Sequence, residues 1–330
     1  MGKFVIGIGE ALWDMLPEGK KLGGAPANFA YHASQFGHEA IAVSAIGQDK
    51  LGEEIVEALE EHRLPYHLDR VPYPTGTVQV SLDAQGVPQY EIKTDVAWDN
   101  IPYTAELASL AARCKAVCFG SLAQRNAVSR ESISLFLDAV PEDCLKVFDI
   151  NLRQDFYSKE VLEASFHRCN ILKINDEELV VMSRLLELPG LALEEKCKHL
   201  MKVYGLRMLI LTCGVNGSYV FYEGGISFLD TPKVTVADTV GAGDSFTGAF
   251  VGSLLNGKTV PEAHETAVKV SAYVCTQSGA MPEIPNTLKK KKKKKNPPDY
   301  ISRTSSLRLQ RREEVAGHWR FPVQQRHLAQ

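Results

Sequence analysis

Short apolar runs rich in β-branched residues recur along the chain between longer helical patterns, and this alternation limits the folds open to it. The runs are Phe4 to Ile8, Ala40 to Ile46, Ala116 to Phe119, Lys146 to Ile150, Ile171 to Ile174 and Met208 to Leu211. Helical spacing falls between or after them at Ala27 to Phe36, Gly52 to His62, Arg130 to Ala139, Glu194 to Tyr204, Asp244 to Leu255 and Glu262 to Ser278. Strand alternating with helix predicts an α/β fold with a mainly parallel sheet covered on both faces. Such sheets bind ligands beyond the carboxyl ends of their strands, where Gly120-Ser121, Asn151 to Arg153, Asn175 to Glu178 and Thr212 to Gly214 all fall. Residues 10–24 and about 65–100 break the rhythm with alternating strand-like stretches, and Ala84-Gln85-Gly86 reads as a hairpin turn. They predict a small antiparallel β lid beside the ligand edge.

A chain of 330 residues with 45% hydrophobic content has material for one large core. Its net charge of -3 conceals a split. Residues 289–330 carry 13 Lys and Arg against 3 Asp and Glu, which leaves 24 against 37, or -13, on residues 1–288. An acidic body argues against a nucleic-acid-binding domain. The basic segment, with its lysine run and Asn-Pro-Pro, has the composition of a disordered tail set apart from a folded domain at 1–288. Such a break is what a shift of reading frame at a lysine-encoding run of adenines would produce, and a polybasic anchor is the other reading. Cys114, Cys118, Cys144, Cys169, Cys197, Cys213 and Cys275 lie in apolar segments without CxxC spacing and read as free thiols in a reducing compartment. No apolar run approaches the roughly 20 residues of a membrane span. Together these predict a cytoplasmic protein with no membrane and no nucleic-acid partner.

The densest chemistry lies in Asp238-Thr-Val-Gly-Ala-Gly-Asp244. Small residues at Gly241, Ala242 and Gly243 let successive N–H groups face one cavity, at the start of a helix whose N-terminus favours an anion. A carboxylate at the edge of that cavity would repel a phosphate, so a proton-accepting role suits Asp244 better; a helix cap is the plain alternative. Near the N-terminus, Gly23-Gly24 permits close approach of a ligand to the backbone. Asn28 offers a donor and an acceptor, and Asp14 can accept from two hydroxyls. Taken singly, these are also a turn, a cap and a loop acid.

Both glycine-rich stretches resemble the signatures of the ribokinase-like, or phosphofructokinase B-type, carbohydrate kinases. Gly23, Gly24, Asn28, Ala30, Gly37 and Gly47 match the first, and DTxGAGD followed by Gly248-Ala249 matches the second. The resemblance spans residues 3 to about 286 and implies the ribokinase-like fold and ATP-dependent phosphorylation of a sugar hydroxyl. It implies that Asp244 is the catalytic base and that Gly241, Ala242 and Gly243 form the anion hole. Asp14, Gly24 and Asn28 match sugar-binding positions, and Arg153 matches a cation near the transferred phosphate. Asn175 and Glu178 form an NxxE element whose Glu acts through water on Mg²⁺ carried by ATP. Thr212, Gly214 and Gly217 match the nucleotide-facing loop. Asp238, Thr239 and Ala280 match the region of a K⁺ site. No Walker A sequence and no protein-kinase motif set is present.

"GEALWDMLP", "GGAPAN" and "DINLR" resemble fructokinases most closely, so fructose is the expected acceptor. Ribose, 2-keto-3-deoxygluconate and a nucleoside remain alternatives, as does a non-catalytic sugar or nucleotide sensor on the same fold. The resemblance further implies a homodimer formed through the lid.

Overall fold

A computed structural model describes residues 2–16, 19–82, 88–188 and 192–289 of the chain. The tail beyond Lys289 and the turn at Ala84-Gln85-Gly86 lie outside the described residues. The larger sheet comprises β1 (Phe4–Ile8), β4 (Ala40–Gly47), β5 (Tyr66–Val71), β8 (Cys114–Gly120), β9 (Leu145–Asp149), β10 (Ile171–Asn175), β11 (Met208–Thr212), β12 (Ser218–Tyr222) and β13 (Gly225–Leu229). Their order is β13-β12-β11-β10-β9-β8-β1-β4-β5. Pairing is parallel from β11 to β5, and β12 and β13 add an antiparallel edge. Every run expected from the sequence is one of the parallel strands.

The helices are α1 (Ala25–Ser34), α2 (Lys50–Glu61), α3 (Ala105–Ala112), α4 (Ala127–Ala139), α5 (Lys159–Arg168), α6 (Asp176–Leu185), α7 (Leu193–Tyr204), α8 (Ala242–Leu255), α9 (Val260–Val274) and α10 (Asn286–Lys289). Alternate strand residues feed two cores. Ile6, Phe119, Phe148, Leu172 and Leu209 join side chains of α3 to α7 in one. Val5, Ala42, Ala116, Val147, Ile171 and Ile210 join α1, α2, α8 and α9 in the other. That two-residue period is what a strand covered on both faces requires. Chain order reverses between β1 and β8, and a crevice forms at such a reversal.

A second sheet contains β2 (Leu12–Leu16), β3 (Gly19–Gly23), β6 (Gly76–Leu82) and β7 (Pro88–Ile92), in the order β3-β2-β6-β7. Its outer pairs are antiparallel and its inner pair, β2 with β6, is parallel. Trp13 Nε1 donates to Leu51 O at 3.0 Å, and the Lys20 ammonium lies 4.8 Å from the Trp13 ring centroid while pairing with Glu54. These contacts fasten the small sheet to α2. Residues 66–71, grouped with the small sheet by the sequence pattern, belong instead to the larger one as β5. An edge strand buries little of itself, so β5 alternates in polarity as a lid strand does. Residues 97–100 form a short 3₁₀ turn rather than a strand.

Helix α1 lies against β1 on one side and α8 on the other. A Cβ at Gly7 of β1 would lie 1.9 Å from Pro26 O, and one at Gly248 of α8 would lie 2.8 Å from Phe29 O and His32 Cβ. Gly248→Ala is therefore expected to lower stability by about 1–3 kcal/mol through overpacking. In an unobstructed helix interior the same change gains roughly 1 kcal/mol. Urea unfolding decides by the sign.

Candidate active site

Gly241 caps α8 with φ of 74°, and a Cβ there would lie 2.7 Å from Ala280 Cβ. Glycine is thus required both by the left-handed turn and by the packing. The next residues begin α8, and Asp244 lies in its first turn. Asn28 Nδ2, one turn into α1, donates to Asp244 Oδ2 at 2.8 Å across 216 positions of sequence. This bond brings the two glycine-rich stretches of the sequence together.

Withdrawal from water pushes the Asp244 carboxyl up to about 6, with the neighbouring Asp149 charge adding to the rise. The Asn28 bond and the charges of Lys173 and Arg153 oppose it. A carboxylate so placed is ionised at neutral pH and close enough to its titration point to take up a proton.

Asp14 is on β2, and burial raises its pKa while Arg153 and Lys21 restrain the rise. Gly24 has φ of 126°, and a Cβ on it would meet Glu10 O at 2.5 Å. Arg153 is exposed, with Nη1 donating to Leu152 O at 3.1 Å. Its charge acts on Asp14, Glu10 and Asp244 alike. The structure therefore gathers Asp14, Gly24, Asn28, Arg153 and Asp244 around one end of α1. Asn28 Oδ1 is buried with no protein partner.

On the other side of the crevice, Asn175 and Glu178 form a reciprocal capping box at the start of α6. Glu178 N donates to Asn175 Oδ1 at 2.7 Å, and Asn175 N donates to Glu178 Oε2 at 3.0 Å. Leu152 N donates to Glu178 Oε1 at 3.3 Å. Thr212, at the end of β11, is the cross-strand partner of Asn175. Gly214 and Gly217, with φ of 51° and 99°, shape the following turn, which Thr231 closes by donating to Gly214 O at 2.6 Å. Asp238, Thr239 and Ala280 lie at the foot of the glycine turn. Asp238 accepts from Val240 N at 3.0 Å, Gly279 N at 3.3 Å and Lys21 Nζ at 3.4 Å. Thr239 O accepts from Ala242 N at 3.3 Å, and His32 Nε2 donates to Ala280 O at 2.8 Å.

Sequence reasoning missed Glu10, Asp149 and Lys173. Lys173 Nζ pairs with Asp149 Oδ1 at 2.8 Å, both side chains nearly inaccessible to solvent. The available signal was a charge inside an apolar run, in "ILKIN" and "VFDIN". Glu10 follows β1 in the "GEALWD" stretch. It accepts from Ala25 N at 3.3 Å through Oε1, while its buried Oε2 has no protein partner. Burial, with the Asp244 charge adding to it, pushes its carboxyl up to about 7 against its backbone hydrogen bonds and Arg153.

The model of the pfkB family carbohydrate kinases matches residues 18–287. The chain belongs to that family. This PfkB-family carbohydrate kinase is 27% identical over 302 residues to an ATP-dependent 6-phosphofructokinase of Thermoanaerobacterium thermosaccharolyticum, covering 86% of this chain and 91% of that one. It is 28% identical over 300 residues to a fructokinase of Salmonella typhimurium, covering 84% and 95%. Its fold superposes on an ATP-bound fructokinase of Xylella fastidiosa with a TM-score of 0.75 at 19% identity, covering 86% of this chain and 96% of that one. These findings establish the ribokinase-like fold. Among the described residues no helix is long and apolar enough to cross a membrane.

The Glu10 carboxyl gives the kinase a measurable pH signature. A carboxyl raised from 4.5 to about 7 holds its proton longer in the folded state. Its stabilising share is present below pH 4.5 and lost as pH rises through about 7. Glu10→Gln should flatten the fall in stability across that window, an effect of order a few kcal/mol. Urea unfolding of both proteins at several pH values measures it.

Proposed function

We propose that the protein transfers the γ-phosphoryl group of ATP to a hydroxyl of fructose, with Asp244 as general base. The observation that supports this reading is the 2.8 Å bond from Asn28 to Asp244, which joins α1 to a carboxylate in the first turn of α8, beside the glycine turn. Asp14, Gly24 and Asn28 hold the sugar. Asp244 takes the proton of the attacking hydroxyl as that oxygen bonds to phosphorus and the bond to ADP breaks. The N–H groups at Gly241, Ala242 and Gly243 and the N-terminus of α8 receive the transferred phosphoryl, and Arg153 offsets the charge that develops on it. Thr212, Gly214 and Gly217 border the nucleotide, with the small side chains leaving room for it. The β2-β3-β6-β7 sheet covers the acceptor and keeps water from competing with it.

The donor set fits Mg²⁺ brought in with the nucleotide. Glu178 and Asn175 face the nucleotide side, and each Glu178 oxygen keeps acceptor capacity beyond its one backbone N–H. Mg²⁺ retains most of its waters, so one carboxylate with the phosphates of the nucleotide is enough to hold it. When bound, Mg²⁺ would supply charge neutralisation at the β- and γ-phosphates. Asp238, Thr239 and Ala280 fit a K⁺ ion less well, because Asp238 is engaged by two backbone N–H groups and Lys21, and the Ala280 carbonyl by His32. No step is assigned to K⁺.

ADP release from MgATP in the presence of fructose should fall by about 10²–10⁴-fold in Asp244→Asn. The wild-type rate should decline as pH drops through about 6, where the base takes up its proton. Ribose, 2-keto-3-deoxygluconate, adenosine and fructose 6-phosphate belong in the same assay. A rate greater with fructose 6-phosphate than with fructose would place the acceptor among sugar phosphates, the substrate class implied by the name of the Thermoanaerobacterium relative. Sugar-independent ADP release, or none, would overturn the reading.

A further inference from the structure

Asp149 at the carboxyl end of β9 and Lys173 in the middle of β10 are cross-strand neighbours. Both side chains leave the sheet on the face covered by α1 and α8, because the adjacent Phe148 and Leu172 belong to the opposite core. The Lys173 ammonium donates to Asp149 Oδ1 at 2.8 Å, and Thr247 Oγ1 of α8 lies 3.1 Å from Asp149 Oδ2. Thr247 Oγ1 also lies 3.0 Å from Gly243 O. A Cβ at Gly243 would stand 3.1 Å from Lys173 Nζ. The ion pair thus bears directly on the turn of α8 that carries Asp244. A buried pair of this kind often contributes little net stability compared with an apolar pair of similar volume, so fold stability alone gives weak reason for it.

We propose that Lys173 and Asp149 are a positioning pair for the reaction, seated beneath the glycine turn to fix the first turn of α8 and balance the charge around Asp244. This rests on the reading of Asp244 as the base. Neither residue is assigned contact with the sugar or the phosphoryl group. The groups that face Asp244 come from each surrounding element. Asn28 is on α1, and Glu10 follows β1. Cys118 is on β8, Asp149 and Arg153 are on and after β9, and Lys173 is on β10. Burial keeps Cys118 a thiol by raising its pKa. Glu10 titrates at about 7. Within this set the pair supplies one charge of each sign, and the two act on Asp244 in opposite directions.

That opposition gives a test which a purely structural pair would fail. Lys173→Met removes the cation and should move the acid limb of the kcat/KM profile upward by about one pH unit. Asp149→Asn removes the anion and should move the limb downward. Both should lower kcat by about tenfold to 10²-fold through misplacement of Asp244. The double variant Asp149→Asn with Lys173→Met leaves no buried unpaired charge. It should fold, show an acid limb near that of the wild type, and retain the loss in kcat. A ¹³C NMR titration of the carboxyl resonance that disappears in Asp244→Asn reads the same shifts without turnover. Limbs or resonances that stay in place, or that move together in the two single variants, would overturn the proposal. So would a double variant with wild-type kcat. If the wild type transfers phosphoryl to no acceptor, the proposed function fails, and the NMR shifts alone decide whether the pair acts on Asp244.

Discussion

The close seating of α1 between β1 and α8 is the constraint on which the rest of the structure depends. Gly7 beneath the helix and Gly248 beside it remove the side chains that would hold it away. The helix carries Asn28 and faces the start of α8, so its distance from both neighbours sets whether Asn28 and Asp244 meet. An Asn side chain reaches only a few ångströms, and a displacement of the helix by one methyl radius would open a hydrogen bond formed at 2.8 Å. Packing density in the core and geometry at the site are here the same quantity.

Electrostatics builds on that geometry. Carboxylates from Glu10, Asp149, Glu178 and Asp244 share a region in which Lys173 is the buried cation and Arg153 the exposed one. Burial raises the pKa of Glu10, Glu178 and Asp244, to about 7 for Glu10 and about 6 for Asp244. Carboxylates in different local settings separate into different protonation behaviours, and such separation is characteristic of sites that move protons.

Much of this was legible in the sequence, for identifiable reasons. The parallel strands of the larger sheet are continuous apolar runs because both their faces are covered, and Asp244, Asn28 and the glycines stand in local patterns that a linear reading detects. Strand β5 was grouped with the wrong sheet because edge strands and lid strands share an alternating pattern. The linear pattern gives no helix at α3, α5 or α6; α5 is polar over most of its length, and α5 and α6 each bury only a narrow stripe. The Lys173–Asp149 pair was hidden more deeply. Its members are 24 positions apart and become neighbours only through the register of β9 and β10. A lone charge in a strand signals that a partner exists without saying which residue it is.

The small sheet is joined to α1 with almost no slack. Strand β3 ends at Gly23 and α1 begins at Ala25, so a single residue, Gly24, separates the covering sheet from the helix that carries Asn28. Gly24 already holds a φ of 126°, and Lys21 on the same strand reaches Asp238 at the foot of the glycine turn. The strand is therefore a lever with its fulcrum at Gly24. A displacement of β3 would therefore twist the first turn of α1 and, through Lys21 and Asp238, pull on the segment that leads into α8, so the small sheet and both helices share one mechanical linkage.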